Sequence, residues 1–258
     1  MGAKAFLSVF NHRVLFVVVE TLLIYFLYDA YDIHLETDFT IISIAIVFPL
    51  VFSITSAYQR RQDAVELFIN FRNKIIDLTN ILFAVNDFKK EDYNRLLLAM
   101  IGLQNNFITY LKTDTQKADF DQIRQQRKDL FQKIIAFKTL YNEREKDSII
   151  RVKNELFLSI EKLNGIKIHG TPISLRKYCL IFIYFSPLLF NSQIILTSVE
   201  IGLNPTSFMS LFFAVLISFV LMALYNVQEY IENPFDQKGL DDLKIDQLAV
   251  ENSEGIYE

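Results

Sequence analysis

The chain contains no tryptophan and a single cysteine, Cys179, among its 258 residues. One cysteine cannot form an internal disulfide, so a disulfide-based fold is excluded. Glycine and proline are also scarce, with 7 and 5 residues respectively, which disfavours a fold rich in loops or strands. A net charge of −4 provides no basic surface for nucleic acid. These absences predict an all-α protein with no nucleic-acid partner.

Motifs for catalysis and for metal or cofactor binding are absent as well. The sequence has no phosphate-binding glycine loop, no GxGxxG, no HExxH, no GxSxG and no paired-cysteine metal site. Its three histidines, His12, His34 and His169, lie far apart along the chain. Catalytic and metal sites need side chains that converge. We therefore expect no enzyme activity, no cofactor and no bound metal.

Four hydrophobic blocks predict four membrane spans. About 20 apolar residues are needed to cross the hydrocarbon core as a helix, and the blocks meet or approach that length. A short apolar block after a basic start resembles a signal peptide, but no small-residue cleavage site follows the first block. The blocks are Val14 to Tyr28, Phe39 to Ala57, Cys179 to Val199 and Ser207 to Val227.

The charges that flank these blocks predict the topology. The connection between the first two spans carries Asp29, Asp32, Glu36 and Asp38, and the connection between the last two carries Glu200. By the positive-inside rule, we expect a multi-pass protein of the cell membrane with both termini and the middle of the chain in the cytoplasm. The inverted orientation is the alternative. The basic residues on the opposite side are Lys4, Arg13, Arg60, Arg61, Lys167, Arg176 and Lys177.

The charged middle of the chain predicts amphipathic helices. Apolar residues recur there every three or four positions, as one face of a helix requires, and such faces pack against each other or against neighbouring subunits. Helix breaks are expected near Asn86-Asp87, near Thr113-Asp114 and at Asn164-Gly165, where glycine can cap a helix. The apolar stripes run from Ala64 to Leu82, Leu96 to Tyr110, Ile123 to Tyr141 and Ile149 to Leu163.

The tail from Gln228 onward is acidic and has no apolar period, and Ala249 to Glu258 is expected to be disordered. The predicted domains are therefore four. Residues 1–59 form transmembrane helices 1 and 2, residues 60–177 a cytoplasmic helical domain, residues 178–227 transmembrane helices 3 and 4, and residues 228–258 a cytoplasmic C-terminal belt and acidic tail.

Three stretches resemble the bestrophin family, in the family's order. Phe52 to Glu66 is similar to the segment that leaves the family's second span, where Tyr58 and Arg60 match. Arg61 and Gln62 depart from the family, which usually has tryptophans at these positions.

The other two stretches adjoin the last two spans. Gly170 to Phe190 resembles the proline-containing start of the third span, and Ile231 to Leu243 resembles the Asn-Pro-Phe block after the fourth. The matching residues are Thr171, Pro172, Tyr178, Pro187 and Leu188 in the second stretch, and Asn233, Pro234 and Phe235 in the third. The chain is thereby identified as a remote, bacterial-type member of the family.

This resemblance implies an ion channel, because bestrophins are pentameric channels whose second span lines the pore and whose cytoplasmic helices extend the conduit. We expect a homopentamer in the bacterial inner membrane through which small inorganic ions permeate passively. The neck would be formed by Ile41, Ala45, Phe48 and Phe52, whose spacing of four, three and four places them on one side of a helix. Because this span is apolar all round, ordinary helix or lipid packing would explain the same stripe.

Two residues inside the predicted spans are unusual. Pro49 removes the amide that would bond the carbonyl of Ala45, which leaves that oxygen free to face ions, water or a neighbouring helix. A plain kink is the alternative, for Pro49 as for Pro187. Glu20 would be costly if it faced lipid. It is expected either to be neutral and hydrogen-bonded inside the bundle or to line a hydrated cavity.

The first outer connection suggests the selectivity. Five copies of Asp29, Asp32, Glu36 and Asp38 around a mouth would concentrate cations and repel anions, which favours monovalent cations.

The block after the fourth span forms part of a calcium clasp in animal members of the family. Here Lys238 and Gly239 interrupt the acidic run, and a hard cation needs more oxygen ligands than Asp236, Asp241 and Asp242 supply. No calcium gating of that kind is expected. A structural belt, with Pro234 and Phe235 packed against the helical domain, is the preferred interpretation of this block.

A second function fits the same residues. A membrane-anchored interaction or signalling scaffold would use the cytoplasmic helices to bind a partner and would conduct no ions. Both functions need helix–helix packing, so the apolar stripes between Ala64 and Leu163 do not distinguish them.

Overall fold

The structure of the chain is a computed structural model that describes residues 11–33, 35, 39–85, 88–113, 117–237 and 242–250. Within these residues the regular secondary structure is helical and contains no strand, so the all-α prediction is confirmed for them. The helices are α1 (His12–Tyr31), α2 (Phe39–Phe83), α3 (Lys90–Lys112), α4 (Lys117–Ala136), α5 (Glu143–Ile168), α6 (Ile173–Glu200), α7 (Phe208–Ile231) and the short α8 (Ile245–Leu248).

The chain divides into two compact units. The first comprises Met1–Gln59 and Gly170–Glu232, and the second comprises Arg60–His169 and Asn233–Glu258. In the first unit, α1 packs against α6 and α7, which also pack against each other. One apolar cluster of this unit brings together Val17 of α1, Leu50 of α2, Ile183 of α6 and Met222 of α7.

Three of the described helices are long and apolar enough to cross a membrane. They are α1, α7 and a stretch within Glu143–Glu200 whose apolar part is α6. The predicted second span, Phe39 to Ala57, forms the first part of α2. The count of four spans therefore stays a proposal.

The second unit has a large apolar core, in which Phe68, Phe71, Phe107 and Leu156 are fully buried. The predicted stripes supply most of this core, because each stripe lies along one side of a helix. Truncating one of these phenylalanines to alanine would cost about 3–5 kcal/mol.

The predicted helix break at Asn164-Gly165 is wrong, because α5 continues to Ile168. The Asn164 side chain instead accepts a hydrogen bond of 2.6 Å from the Tyr110 hydroxyl, which places it within the core. A break between α4 and α5 was not expected. There Asn142 and Glu145 form a capping box in which each side chain bonds the backbone of the other.

The predicted start of the disordered tail at Ala249 is wrong, because Ala249 and Val250 are ordered. The amide of Val250 donates to Gln104 Oε1 at 3.0 Å, and its carbonyl accepts from Gln104 Nε2 at 3.1 Å. Phe235, Leu243, Ile245 and Val250 all join the apolar core of the second unit. Beyond α7, the described part of the tail contains only the one-turn helix α8, so its buried side chains follow no helical period. Residues 251–258 lie outside the described part of the chain.

Candidate pore-lining surface

The first part of α2 has one buried side and one exposed side. Ile46, Leu50, Ser53 and Ala57 are each 1% exposed, and their spacing of four, three and four places them on one side of the helix. Ile46 and Leu50 pack there against the other helices of the first unit. The sequence does not distinguish the two sides, because both are mostly apolar.

The predicted neck residues lie away from this packed side. Ile41 is 73% exposed, Phe48 56% and Phe52 62%, whereas Ala45 has intermediate exposure. The rings of Phe48 and Phe52 contact each other, with centroids 6.0 Å apart. Apolar surface of this extent is rare on a monomer in water and marks contact with lipid, with another subunit or with a narrow pore.

Pro49 lies inside α2, which stays helical through it. The carbonyl oxygen of Ala45, which loses its helical donor to this proline, accepts a hydrogen bond from the Tyr178 hydroxyl at 3.5 Å. The ring of Tyr178 is held against Phe182, with centroids 4.4 Å apart. The Ala45 carbonyl was expected to face ions, water or a neighbouring helix. In the structure it faces a neighbouring helix, α6.

Polar side chains link the three apolar helices of the first unit. The hydroxyl of Thr21 donates to Ser218 Oγ at 2.8 Å, and Asn191 Nδ2 donates to the Thr21 carbonyl at 2.9 Å. Hydrogen bonds of this kind join helices within a membrane. The neighbouring Glu20 takes no part, since its Oε2 is buried and has no hydrogen-bond partner among the described residues. For Glu20, hydrogen bonding inside the bundle is therefore not seen in the described part of the chain.

The residues predicted to charge the outer mouth are only partly described. Asp29 lies in the last turn of α1 and is half-buried, and Asp32 is exposed at the helix end in a left-handed conformation with φ of 51°. Glu36 and Asp38 lie outside the described residues. Between Asp32 and Glu36, the amide of Leu35 donates to Ser192 Oγ at 2.7 Å, so this connection contacts α6.

The residues of the family motifs lie in different surroundings. Tyr58 and Tyr178 are exposed, and Arg60 is half-buried. Pro172 precedes the first residue of α6. After the last span, the side chain of Asn233 accepts from the amide of Phe235 at 3.2 Å, and Pro234 and Phe235 are buried.

Glu232 is a residue that the sequence did not single out. Its carboxylate accepts from the Thr171 amide at 2.6 Å, from the Thr171 hydroxyl at 2.8 Å and from Gln228 Nε2 at 2.9 Å. These bonds tie the start of α6 to the end of α7. The signal available in the sequence was the position of Thr171 and Glu232 within the second and third family-like stretches.

Metal binding has no support among the described residues, where no group of three or more His, Cys, Asp or Glu side chains could hold an ion. Lys238, Gly239 and Asp241 of the expected acidic block lie outside those residues.

The arrangement of helices resembles known structures, although the sequence comparisons find no match. No family model and no curated protein sequence matches the chain. Its structure resembles that of a mutant bacterial bestrophin homologue from Klebsiella pneumoniae, with a TM-score of 0.75 and 16% identity, covering 92% of this chain and 93% of that chain.

A second mutant of that homologue matches with a TM-score of 0.75 at 17% identity over 92% of this chain and 93% of that chain. A further structure, described as a membrane protein, matches with a TM-score of 0.74 at 16% identity over 92% of both chains. The chain therefore has a bestrophin-like fold, which confirms the resemblance found in the sequence.

Proposed function

We propose that the chain is the subunit of a bestrophin-type ion channel, in which five copies surround a pore lined by the first part of α2. Ions would permeate passively across the cell membrane. Both termini and the second unit would lie in the cytoplasm.

The observation that carries this proposal is the uncovered apolar side of α2. Ile41, Phe48 and Phe52 are more than half exposed although they are large and apolar. Around a fivefold axis, this side would form a narrow apolar constriction. Such a constriction gates by dewetting and imposes no strong charge preference by itself.

The charge preference would come from the outer mouth. Asp29 and Asp32 lie at the end of α1, so five copies would present a ring of carboxylates, which concentrates cations. We therefore propose that monovalent cations are favoured. Reversal potentials in planar bilayers under a KCl gradient are expected to follow the potassium gradient, and values that follow chloride would contradict this selectivity. Asp29→Asn combined with Asp32→Asn should weaken the preference, while Asp147→Asn, on the exposed side of α5, should not.

Two measurements test the channel itself. The mass of the detergent-purified particle should correspond to five chains, and liposomes that contain it should pass ions. A monomer or dimer would contradict the channel and favour a membrane-anchored scaffold that conducts nothing. A pentamer without flux would leave the assembly standing but would contradict conduction.

A further inference from the structure

The side of α2 that carries the predicted neck continues beyond the neck with a different chemistry. α2 is one unbroken helix from Phe39 to Phe83. At about 3.6 residues per turn, about five whole turns separate Phe48 from Glu66. About three whole turns separate Phe52 from Asp63. The same side of the helix therefore carries large apolar residues first and two carboxylates further on.

The burial of α2 follows this register. Ile46 and Ala64 are also about five turns apart, and both are buried, at 1% and 0% exposure. Phe68, one turn after Ala64, is fully buried as well. Asp63 and Glu66 are exposed. The side of α2 that is uncovered at the neck is therefore also uncovered at the two carboxylates.

The other residues on this side beyond the neck are polar and uncharged. Thr55 and Gln59 follow Phe48 and Phe52 by about two turns each, and both are exposed. Asn70, on the same side after the carboxylates, is exposed too. Lipid and the core of a subunit interface favour apolar side chains. Hydroxyl and amide groups on this side therefore favour contact with water.

The charge of the two carboxylates is not cancelled by an ion pair. Arg60 and Lys162 line an open groove together with Asp63, Glu66 and His169. Neither carboxylate has an ion-pair partner in the described part of the chain. An unpaired carboxylate attracts cations from solution, and repetition of the same carboxylate around an axis strengthens that attraction.

We propose that the uncovered side of α2 lines the ion path beyond the neck, where Asp63 and Glu66 of the subunits form a second acidic ring that concentrates cations. The inference rests on the proposed channel, in which this side of α2 faces the axis. It adds a specificity determinant at the end of the neck opposite to the outer mouth.

Single-channel conductance in planar bilayers tests the ring, because salt screens its charge. The Debye length is about 14 Å at about 0.05 M salt and about 3 Å at about 1 M. Asp63→Asn combined with Glu66→Gln should lower the conductance about twofold in symmetric KCl at the lower concentration and leave it unchanged at the higher one. Glu143→Gln combined with Asp147→Asn removes two exposed carboxylates from α5 instead, so its conductance should equal that of the wild type at both concentrations.

A variant of opposite sign separates an electrostatic effect from damage to the fold. Lys162→Gln removes a positive charge from the groove that Asp63 and Glu66 line, so it should raise the conductance at about 0.05 M KCl. A lower conductance in Lys162→Gln would overturn the inference. So would a loss in the Asp63 and Glu66 variant that is the same at both salt concentrations, since screening would then have no part in it.

The same recordings distinguish this inference from the channel proposal. Wild-type currents that the Asp63 and Glu66 variant leaves unchanged or raises at low salt would contradict the second ring alone, and the channel would stand. Absence of current through the wild-type protein would contradict the channel and the ring with it.

Discussion

The hydroxyl of Tyr178 lies 3.5 Å from the carbonyl oxygen of Ala45, the atom that Pro49 leaves without its helical hydrogen bond. A side chain of α6 thus replaces the donor that α2 lacks. Tyr178→Phe should lower stability by about 0.5 kcal/mol, the lower end of the usual net worth of one hydrogen bond, because the bond is long and Tyr178 is exposed. Thermal unfolding in detergent measures this loss. Tyr58→Phe, on an exposed tyrosine of α2, serves as the control and should leave stability nearly unchanged.

A double-mutant cycle tests whether the proline creates this need. Pro49→Ala restores an amide that can bond the Ala45 carbonyl, so Tyr178→Phe should cost less in that background than in the wild type. An equal cost in both backgrounds would show that the Tyr178 bond has nothing to do with Pro49.

The neck assignment predicts a change in ion flux when the uncovered side of α2 is truncated. Ile41→Ala and Phe48→Ala should each widen an apolar constriction and lower its dewetting barrier, raising liposome flux about fivefold or more. Phe185→Ala on α6 is the matched control, since Phe185 and Phe48 are both 56% exposed. If neither neck variant alters the flux, these residues do not form the neck.

The two hydrogen bonds of Gln104 are expected to stabilise the C-terminal segment around Val250. Gln104→Leu removes both hydrogen bonds to the backbone of Val250 and leaves buried groups unpaired, at a cost of about 1–3 kcal/mol. Trypsin should then cut faster at the exposed Lys244, as followed by intact mass. Gln62→Leu, at an exposed position of α2, should leave the cleavage rate unchanged. Unchanged cleavage in Gln104→Leu as well would mean that the segment is held by its apolar side chains alone.

The ion pairs of Glu161 predict a dependence of stability on pH. Arg127 donates to its carboxylate at 2.8 Å and Arg124 at 3.3 Å. Burial acts to raise the pKa of Glu161, but the hydrogen bond and charge of Arg124, together with Arg127, lower that pKa overall. A lowered pKa means that the folded state binds the proton more weakly than the unfolded state. The stabilisation is therefore present at neutral pH and is lost as the pH falls through the lowered pKa.

Glu161→Gln should destabilise the chain at pH 7 by ~0.2–1 kcal/mol, because the pair is partly exposed to solvent. The difference from the wild type should shrink as the pH is lowered below the ordinary glutamate value of 4.5. Thermal unfolding at a series of pH values measures it. Glu143→Gln, whose side chain is 87% exposed in its pair with Lys146, should show little effect at any pH. A constant difference for Glu161→Gln would contradict the assigned ionisation.

Local patterns in the sequence predicted much of the second unit. Phe68, Phe71 and Leu78 fall on one side of a helix by their spacing, and all are buried. For Asn164-Gly165 the same reasoning predicted a helix end that is wrong. The pair favours a helix end, but α5 continues through it, and Asn164 accepts a hydrogen bond from Tyr110. That bond joins residues that are distant along the chain, so no local pattern signals it.

The sequence by itself determined the helical character of the chain, the positions of its hydrophobic blocks and the likeness to bestrophins, because each depends on composition or on residues near one another. Only the tertiary structure decided which side of α2 is uncovered, because a helix that is apolar all round has no periodicity to distinguish its sides. The tertiary structure also decided that Tyr178 meets the Ala45 carbonyl and that Glu232 is held by Thr171. Both contacts join helices far apart in sequence, and their geometry exists only after those helices have packed.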